Sequence, residues 1–496
     1  MFRFFYTLSI LFKYLFIFIF LKLGLYKKPK QKILKNFFEE AGGSFIKFGQ
    51  LLALRVDVLP KEFALELIGL FDNVKPFPYS LVEETFLQEL GATPDKIFKD
   101  FQKKPFASAS FAQVHGAKLD NDHIVAVKIL RPGIEDAVLA DFLLIDILAF
   151  FADLFFKIEA LPWKEFAQEF KRWTKNELDY RIEAEQMEKI YKTAQNDKYT
   201  VIPKLYPRLC TKKILVEDYI EGIPLSRILL GLKDGRLDEE KLKKRGVDLK
   251  QVTSAMTREL FREFFVGDTF HADPHPGNII VLKNGRIAFI DFGIVGEGLK
   301  YNKSSFVGFV KAAADINYKD STYHFANFSG GWLKNMIGSA LPASVAQKNV
   351  EDFMNLVSDY FSQEVEKIAV DKRKTLEMMQ EDYTSAFAEM ARAAKKMRIK
   401  LPRETVLFVR ALTIAGFLAK QLNFKFKLAD ETKKFFKEFP EKLWLKDNDN
   451  AVPYRRLSHE KAIEQLNGWL TYLIEADPNL YHVVKKFLNK YNLVDR

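Results

Sequence analysis

The distribution of apolar positions divides the chain into a helical beginning, a β-rich middle and a long helical remainder. Residues 4–25 form one apolar run, broken by Lys13 and Lys22 and long enough to cross a bilayer. The run predicts a membrane-spanning helix, or a helix lying in the interface with Lys13 reaching the headgroups. Residues 31–75 read as helical with a break at Pro60, and 80–100 as a further short helix. Residues 105–119 read as a loop of small residues followed by a strand, and 124–130 as a second strand. The apolar stretch 138–160 carries Asp141, Asp146 and Asp153, so it predicts a packed amphipathic helix rather than a second span. A helical run includes 176–185, a buried strand at 212–222 ends in a glycine connector, and the charged segment 233–250 reads as a surface insertion. A helix over 251–266 leads to strands at 279–282 and 287–290, joined by a tight turn at Asn284-Gly285. Beyond residue 300 the pattern is helical, including 404–412, with no long apolar span towards the C-terminus.

Composition narrows the class. At 496 residues with 48% apolar content the chain can bury the cores of two or three domains. A net charge of +11 suits nucleic acid or an anionic membrane face, and no nucleic-acid motif supports the first, so no nucleic-acid partner is expected. The lone Cys210 excludes an intramolecular disulfide and a CxxC metal site, and reads as a small core residue in a reducing compartment. No HExxH pair marks zinc. Lysines follow the apolar run at 27, 28 and 30, which predicts a cytoplasmic catalytic region.

The chemistry concentrates in 270–293. Asp273 and Asn278 are five residues apart, and Asn278 and Asp291 thirteen, the separations of the catalytic acid, the catalytic-loop asparagine and the metal-binding aspartate in protein kinases. An isolated triplet such as Asp291-Phe292-Gly293 is most often a surface turn, but the hairpin at 279–290 gives the spacing a physical meaning. It would bring Asn278 and Asp291 together as oxygen ligands for magnesium. Upstream, Val125-Ala126-Val127-Lys128 has the form in which kinases present a phosphate-binding lysine. Most acids on a helix are merely solvated, and Glu183 is the carboxylate expected to orient Lys128. The loop Ala107-Ser108-Ala109-Ser110-Phe111 has small residues where kinases place glycine, which allows close approach of phosphate without free access to positive φ. The 212–222 segment, a strand running into its glycine connector and carrying Glu217 and Tyr219, is the expected adenine contact.

Taken together, these segments resemble the UbiB-type atypical kinase family over roughly residues 35–425. The resemblance rests on Lys47-Phe48-Gly49-Gln50 for KxGQ, Ala107-Ser108-Ala109-Ser110 for the alanine-rich loop, Glu177-Leu178-Asp179 for ExD, and His271-Ala272-Asp273-Pro274-His275-Pro276-Gly277-Asn278. It implies an α+β, bilobal protein-kinase-like fold with a helical N-terminal extension and a predominantly helical C-terminal lobe. The expected divisions are a hydrophobic membrane segment at 1–26, a helical extension carrying KxGQ at 27–100, a kinase-like N-lobe with a helical insertion at 101–222, a C-lobe at 223–430 and a helical tail at 431–496. The resemblance further implies that Lys47 and Gln50 face Glu177 and Asp179 in a cover over the cleft. Asp273 would be the catalytic acid, Lys128 and Glu183 the phosphate-binding pair, and Asn278 and Asp291 the magnesium ligands. The implied function is Mg-ATP use as an ATPase or atypical kinase in ubiquinone or other isoprenoid-lipid metabolism. The implied partners are membrane lipids or isoprenoid-quinone precursors, with quinone-biosynthesis proteins as a further candidate. A lipid or small-molecule kinase, or a non-catalytic ATP-binding scaffold, would use the same residues. Bacterial relatives usually carry their membrane helices at the C-terminus, whereas the apolar run here lies at the N-terminus.

Overall fold

Strand β4 (Ile124–Leu130) sorts its side chains by the two-residue period of an extended chain, with Val125, Val127 and Ile129 on one face and Ala126 and Lys128 on the other. The computed structural model describes the chain apart from residues 1, 26–27, 54–62, 64–65, 68–69, 71–73, 156–162, 196, 268, 300–302, 369–386, 388–389, 392–393, 395–400, 444–456 and 494–496. In it β4 lies between β3 (Ala112–Lys118) and β6 (Ile214–Asp218), antiparallel to both. The short strands β1 (Asp100–Phe101) and β2 (Ala107–Ser108) pair with β3. The apolar face of this sheet packs on Val82 and Phe86 of helix α4 (Tyr79–Leu90) together with Phe98 and Phe101. Lys128 therefore projects from the opposite face, with its register neighbour Leu215 and, two residues on, Glu217.

A second sheet runs in the order β5 (Thr200–Val201), β9 (Ile287–Phe289), β8 (Ile279–Val281), β7 (Ile223–Pro224). The hairpin β8–β9 turns through Asn284 at φ 61° and Gly285 at φ 70°, backbone values that favour this residue pair. Its last rung is Ile290 N–H donating to Asn278 O at 3.0 Å, which sets Asn278 beside the residue preceding Asp291.

The N-terminal region is helical: α1 (Phe2–Lys22), α2 (Lys30–Ala41) and α3 (Ser44–Ala53) precede α4. The helical stretch expected from residue 31 divides at Gly42, whose φ of +63° and extended ψ leave the helix. The expected break at Pro60 lies outside the described residues. Gly49 has a packing role, because a Cβ there would stand 2.6 Å from Leu70 and 2.7 Å from the Phe38 ring. After β4 come α5 (Ile134–Phe155), α6 (Trp163–Glu177) and α7 (Tyr180–Ala194), and the Asp179 side chain caps α7 by accepting from Arg181 N.

The chain forms two units, Met1–Val247 with Asp273–Val295, and Asp248–Ala272 with Gly296–Arg496. Every sequence-nominated site residue falls in the first. The second is a helical body in which Phe264 of α8 (Leu249–Phe265) stacks at 3.8 Å on Phe408 of α9 (Arg403–Leu422). Helix α9 corrects the expectation of no long apolar segment towards the C-terminus. Among the described residues it is the one helix long and apolar enough to cross a membrane, and 72% of that window is buried, as in a core helix. Here too Glu263, fully buried, accepts from His271 N at 2.7 Å. Burial, reinforced by Glu259, pushes the Glu263 carboxyl well above the usual range.

Candidate functional site

Two carboxylates and a carbonyl surround the Lys128 ammonium. Its Nζ lies 2.9 Å from Glu183 Oε1, 3.3 Å from Glu217 Oε1 and 2.6 Å from Ile290 O. The first partner comes from α7, the second from the neighbouring strand β6 and the third from the end of the β8–β9 hairpin. Both acids are buried, and Glu183 Oε1 also accepts from Phe292 N at 3.4 Å. Lys128 and Glu183 thus hold the backbone on both sides of Asp291.

Electrostatics follow from three acids facing one cation. Burial disfavours the Lys128 ammonium, but Glu183, Glu217 and Asp291 outweigh it and hold the lysine above its usual range. Burial raises the Glu183 carboxyl against the pull of Lys128, and Asp291 pushes it the same way. Glu217 is pushed up to about 7, first by burial, with Lys128 opposing and Glu183 adding to the rise. Its Oε2 is buried without a hydrogen-bond partner.

Glu217 therefore yields a prediction. Its folded-state value lies above the ordinary 4.5, so its contribution to stability is present in full below about pH 4.5 and lost as pH rises through about 7. Relative to wild type, Glu217→Gln is expected to gain stability progressively between about pH 5 and about pH 8, by up to about 3 kcal/mol. Paired denaturant titrations across that range measure it, and a difference independent of pH would refute it.

On the other side of the metal-binding segment stands the ExD acid. A Cβ on Gly293 would lie 3.3 Å from Asp291 Oδ1 and 3.3 Å from Glu177 Cγ, so Glu177 closes against this turn. Lys47 forms an ion pair with Glu177, and its Nζ stands 4.4 Å from the centre of the Phe111 ring. One lysine of α3 therefore joins the small-residue loop to the Asp291 turn. The other two members of these motifs do not meet. Gln50 donates to Leu70 O at 3.0 Å, and Asp179 pairs with Arg181 at 2.6 Å as it caps α7.

The small-residue loop contains no positive φ, the condition that its alanines and serines require. Ala107 and Ser108 pair with Val114 and Gln113, and Ala109 N donates to Ala112 O at 2.8 Å to close the turn. Ser108 Oγ is buried with no hydrogen-bond partner. Arg131, which sequence reasoning passed over, secures the loop: its guanidinium donates to Ser110 O and Ala109 O, both at 3.2 Å, and its N–H to Phe111 O at 2.7 Å. Its place directly after the Lys128 strand was the available signal.

In the remaining segment Asn278 Nδ2 lies 3.3 Å from both Asp273 O and Asp273 Oδ2, while Asp291 Oδ1 accepts from Gly293 N at 2.9 Å. At the expected adenine contact Tyr219 N–H already donates to Ile124 O at 3.1 Å, and Glu217 directs its side chain to Lys128.

This assembly, a strand lysine held by a helix glutamate next to an Asp-Phe-Gly turn, coincides with a family-level match. The model for the ABC1 atypical kinase-like domain matches residues 69–324. The chain belongs to the UbiB/ABC1 atypical kinase family. Over 396 residues it is 32% identical to an uncharacterized protein encoded in the hydrogenase 1 5′ region of Clostridium pasteurianum, covering 79% of this chain and 68% of that one. An uncharacterized protein of Synechocystis is 30% identical over 405 residues, 79% of this chain and 90% of its own. The probable protein kinase UbiB of Pseudomonas aeruginosa is 35% identical over 264 residues, 52% of this chain and 48% of that protein. As in this family, the domain here is kinase-like and mixes helices with small sheets.

Proposed function

We propose that the chain is a Mg-ATP-dependent ATPase or atypical kinase, bilobal like a protein kinase, that supports ubiquinone or other isoprenoid-lipid metabolism at a membrane face. The observation that carries this reading is the buried Lys128–Glu183 pair, tied through Ile290 O and Phe292 N to the backbone around Asp291. In phosphoryl transfer the protein mainly positions groups and neutralises charge, and this arrangement couples the phosphate-binding lysine to the metal-binding residue.

The residues fit the group they would hold. No set of three His, Cys, Asp or Glu side chains able to hold a metal occurs among the described residues. Magnesium between phosphates takes only one or two protein oxygens, which Asp291 and Asn278 supply. Three acids against one ammonium leave negative charge that a divalent ion offsets, and the orphaned Ser108 Oγ can donate to a phosphate oxygen. Magnesium would draw charge from the phosphate oxygens as the bond to the terminal phosphorus breaks. Lys128 orients the phosphates, and Asp273 accepts the proton of the attacking water or hydroxyl as its oxygen bonds to the terminal phosphorus and ADP leaves with the bridging oxygen. Ala107, Ser108, Ala109, Ser110 and Phe111 cover the nucleotide, and the strand bearing Glu217 and Tyr219 borders its base.

The Lys47–Glu177 pair supports a cover that restricts access to the cleft, which favours water or a small substrate over a polypeptide. Purified full chain is expected to turn over Mg-ATP, faster with anionic vesicles containing isoprenoid-quinone precursors, and Lys47→Ala is expected to change nucleotide affinity or selectivity severalfold. Phosphate released to water identifies an ATPase, and a phosphorylated lipid identifies a lipid kinase. Binding without turnover would leave a scaffold and overturn the catalytic reading.

A further inference from the structure

We propose that α1 and α5 form one docking face that lies in the plane of an anionic lipid surface, so that α1 rests on the membrane without crossing it. The proposal builds on the membrane-face reading above and specifies its geometry.

Helix α1 has two apolar faces, and the first unit buries only one. Thr7, Ile10 and Tyr14, at helical spacing, are buried against neighbouring helices. Arg3 fixes the start of the helix by donating to both oxygens of Asp141 on α5, at 3.0 and 3.1 Å, and to Gly42 O. The Asp141 side chain is 2% exposed. Further along, Lys13 reaches Glu40 of α2 at 2.7 Å, and the Tyr14 hydroxyl donates to the same carboxylate. For α1 to cross a bilayer it would have to leave these partners, stranding Asp141 without its cation and carrying Arg3 towards the hydrocarbon.

The opposite face of α1 carries Phe5, Phe12, Leu15, Phe16 and Ile19, exposed by 44–59%, and Leu23 just beyond its end is 64% exposed. Helix α5, packed against α1, repeats the arrangement. Val138, Phe142, Ile145 and Ala149 are buried, whereas Leu139, Leu143, Ile147 and Phe150 form an outward stripe 41–58% exposed. Asp146, on this side of α5, is paired with Lys171 at 2.6 Å. Two adjacent helices thus each present a large apolar stripe, more than scattered surface residues account for.

Charge identifies the occupant as lipid. The first 38 residues contain eight Lys or Arg and no Asp or Glu. Interfaces between proteins are depleted in lysine, whereas a helix with an aromatic face and lysines beside it suits the boundary of an anionic bilayer.

The test is flotation of full-length protein with phosphatidylserine-containing and pure phosphatidylcholine vesicles, alongside Leu139→Ser/Leu143→Ser/Ile147→Ser and, separately, Leu143→Trp. The expected results are preference for the anionic vesicles, at least tenfold weaker partition of the triple variant, and a blue shift of Leu143→Trp emission on binding. Thermal melts show whether the triple variant is folded, and Leu143→Trp reports contact even if it is not. Unchanged partition of a folded triple variant, no emission shift, or wild-type protein resisting alkaline extraction as a spanning protein would each overturn the proposal. So would self-association through the α5 stripe without vesicle binding. ATP turnover measured without vesicles reads the nucleotide site separately: its absence counts against the proposed function and leaves the docking face standing, whereas loss of vesicle binding alone does the reverse.

Discussion

Replacing Asp291 by Asn is expected to lower ATP turnover by about three orders of magnitude, the scale on which removing a preorganised charge from a phosphoryl-transfer site acts. The substitution keeps the shape of the side chain and the oxygen that accepts from Gly293 N, so the turn survives. What disappears is the charge proposed to hold magnesium with Asn278. Asp291 also raises the carboxyls of Glu183 and Glu217, so its neutralisation relieves repulsion inside the site and stability should hold or rise. Single-turnover rates at saturating ATP, with a magnesium titration and a thermal melt, separate the two effects. Turnover equal to wild type in a folded Asp291→Asn protein would sink the assignment.

The second large effect falls on folding. Lys128→Met removes the cation between Glu183 and Glu217 and leaves two buried carboxyls facing each other and Asp291. Removing one partner of a buried ionic group typically costs about 3–5 kcal/mol, because the remaining charge has neither water nor a counter-ion. The sign with pH follows from the raised Glu183 and Glu217 values. In the variant both acids lose the pull of Lys128 and rise further, so the penalty is small where they bind protons, near about pH 5, and grows towards about pH 8. Adding Glu217→Gln should restore part of the loss at the upper end. Denaturant melts of the two variants at both pH values measure this, and a penalty equal at both would mean that the acids find other partners. Catalysis should also be lost, so stability and turnover must be read separately.

How legible these features were depends on how far apart the interacting residues lie. The hairpin after Asn278 could be read locally, since two short apolar runs joined by Asn284-Gly285 have few alternatives, and once it forms Asn278 and the Asp291 turn must be adjacent. The alternation in β4 likewise determined that Lys128 faces away from Val125, Val127 and Ile129. The resemblance nominated Glu177 as a partner of Lys47, and the structure brings the two together. It also nominated a meeting of Gln50 with Asp179 that does not occur: Asp179 caps its own helix, a local bond available without any tertiary contact.

The sequence by itself determined the strand faces, the hairpin, the helical periodicity and the family, because each depends on residues close together in the chain or on motifs quoted whole. Tertiary structure alone decided that Glu217, read as part of the hinge, turns its side chain to Lys128, since this depends on β6 pairing with β4 in one register. It alone decided that Arg131 holds the small-residue loop. It also decided the placement of α1. Residues 4–25 read first as a span, with an interfacial helix as the competitor, and nothing in that run shows that Arg3 meets Asp141, 138 positions away, or that Lys13 and Tyr14 meet Glu40. Periodicity shows that a helix has an apolar face, and the partner that covers that face is a property of the folded chain.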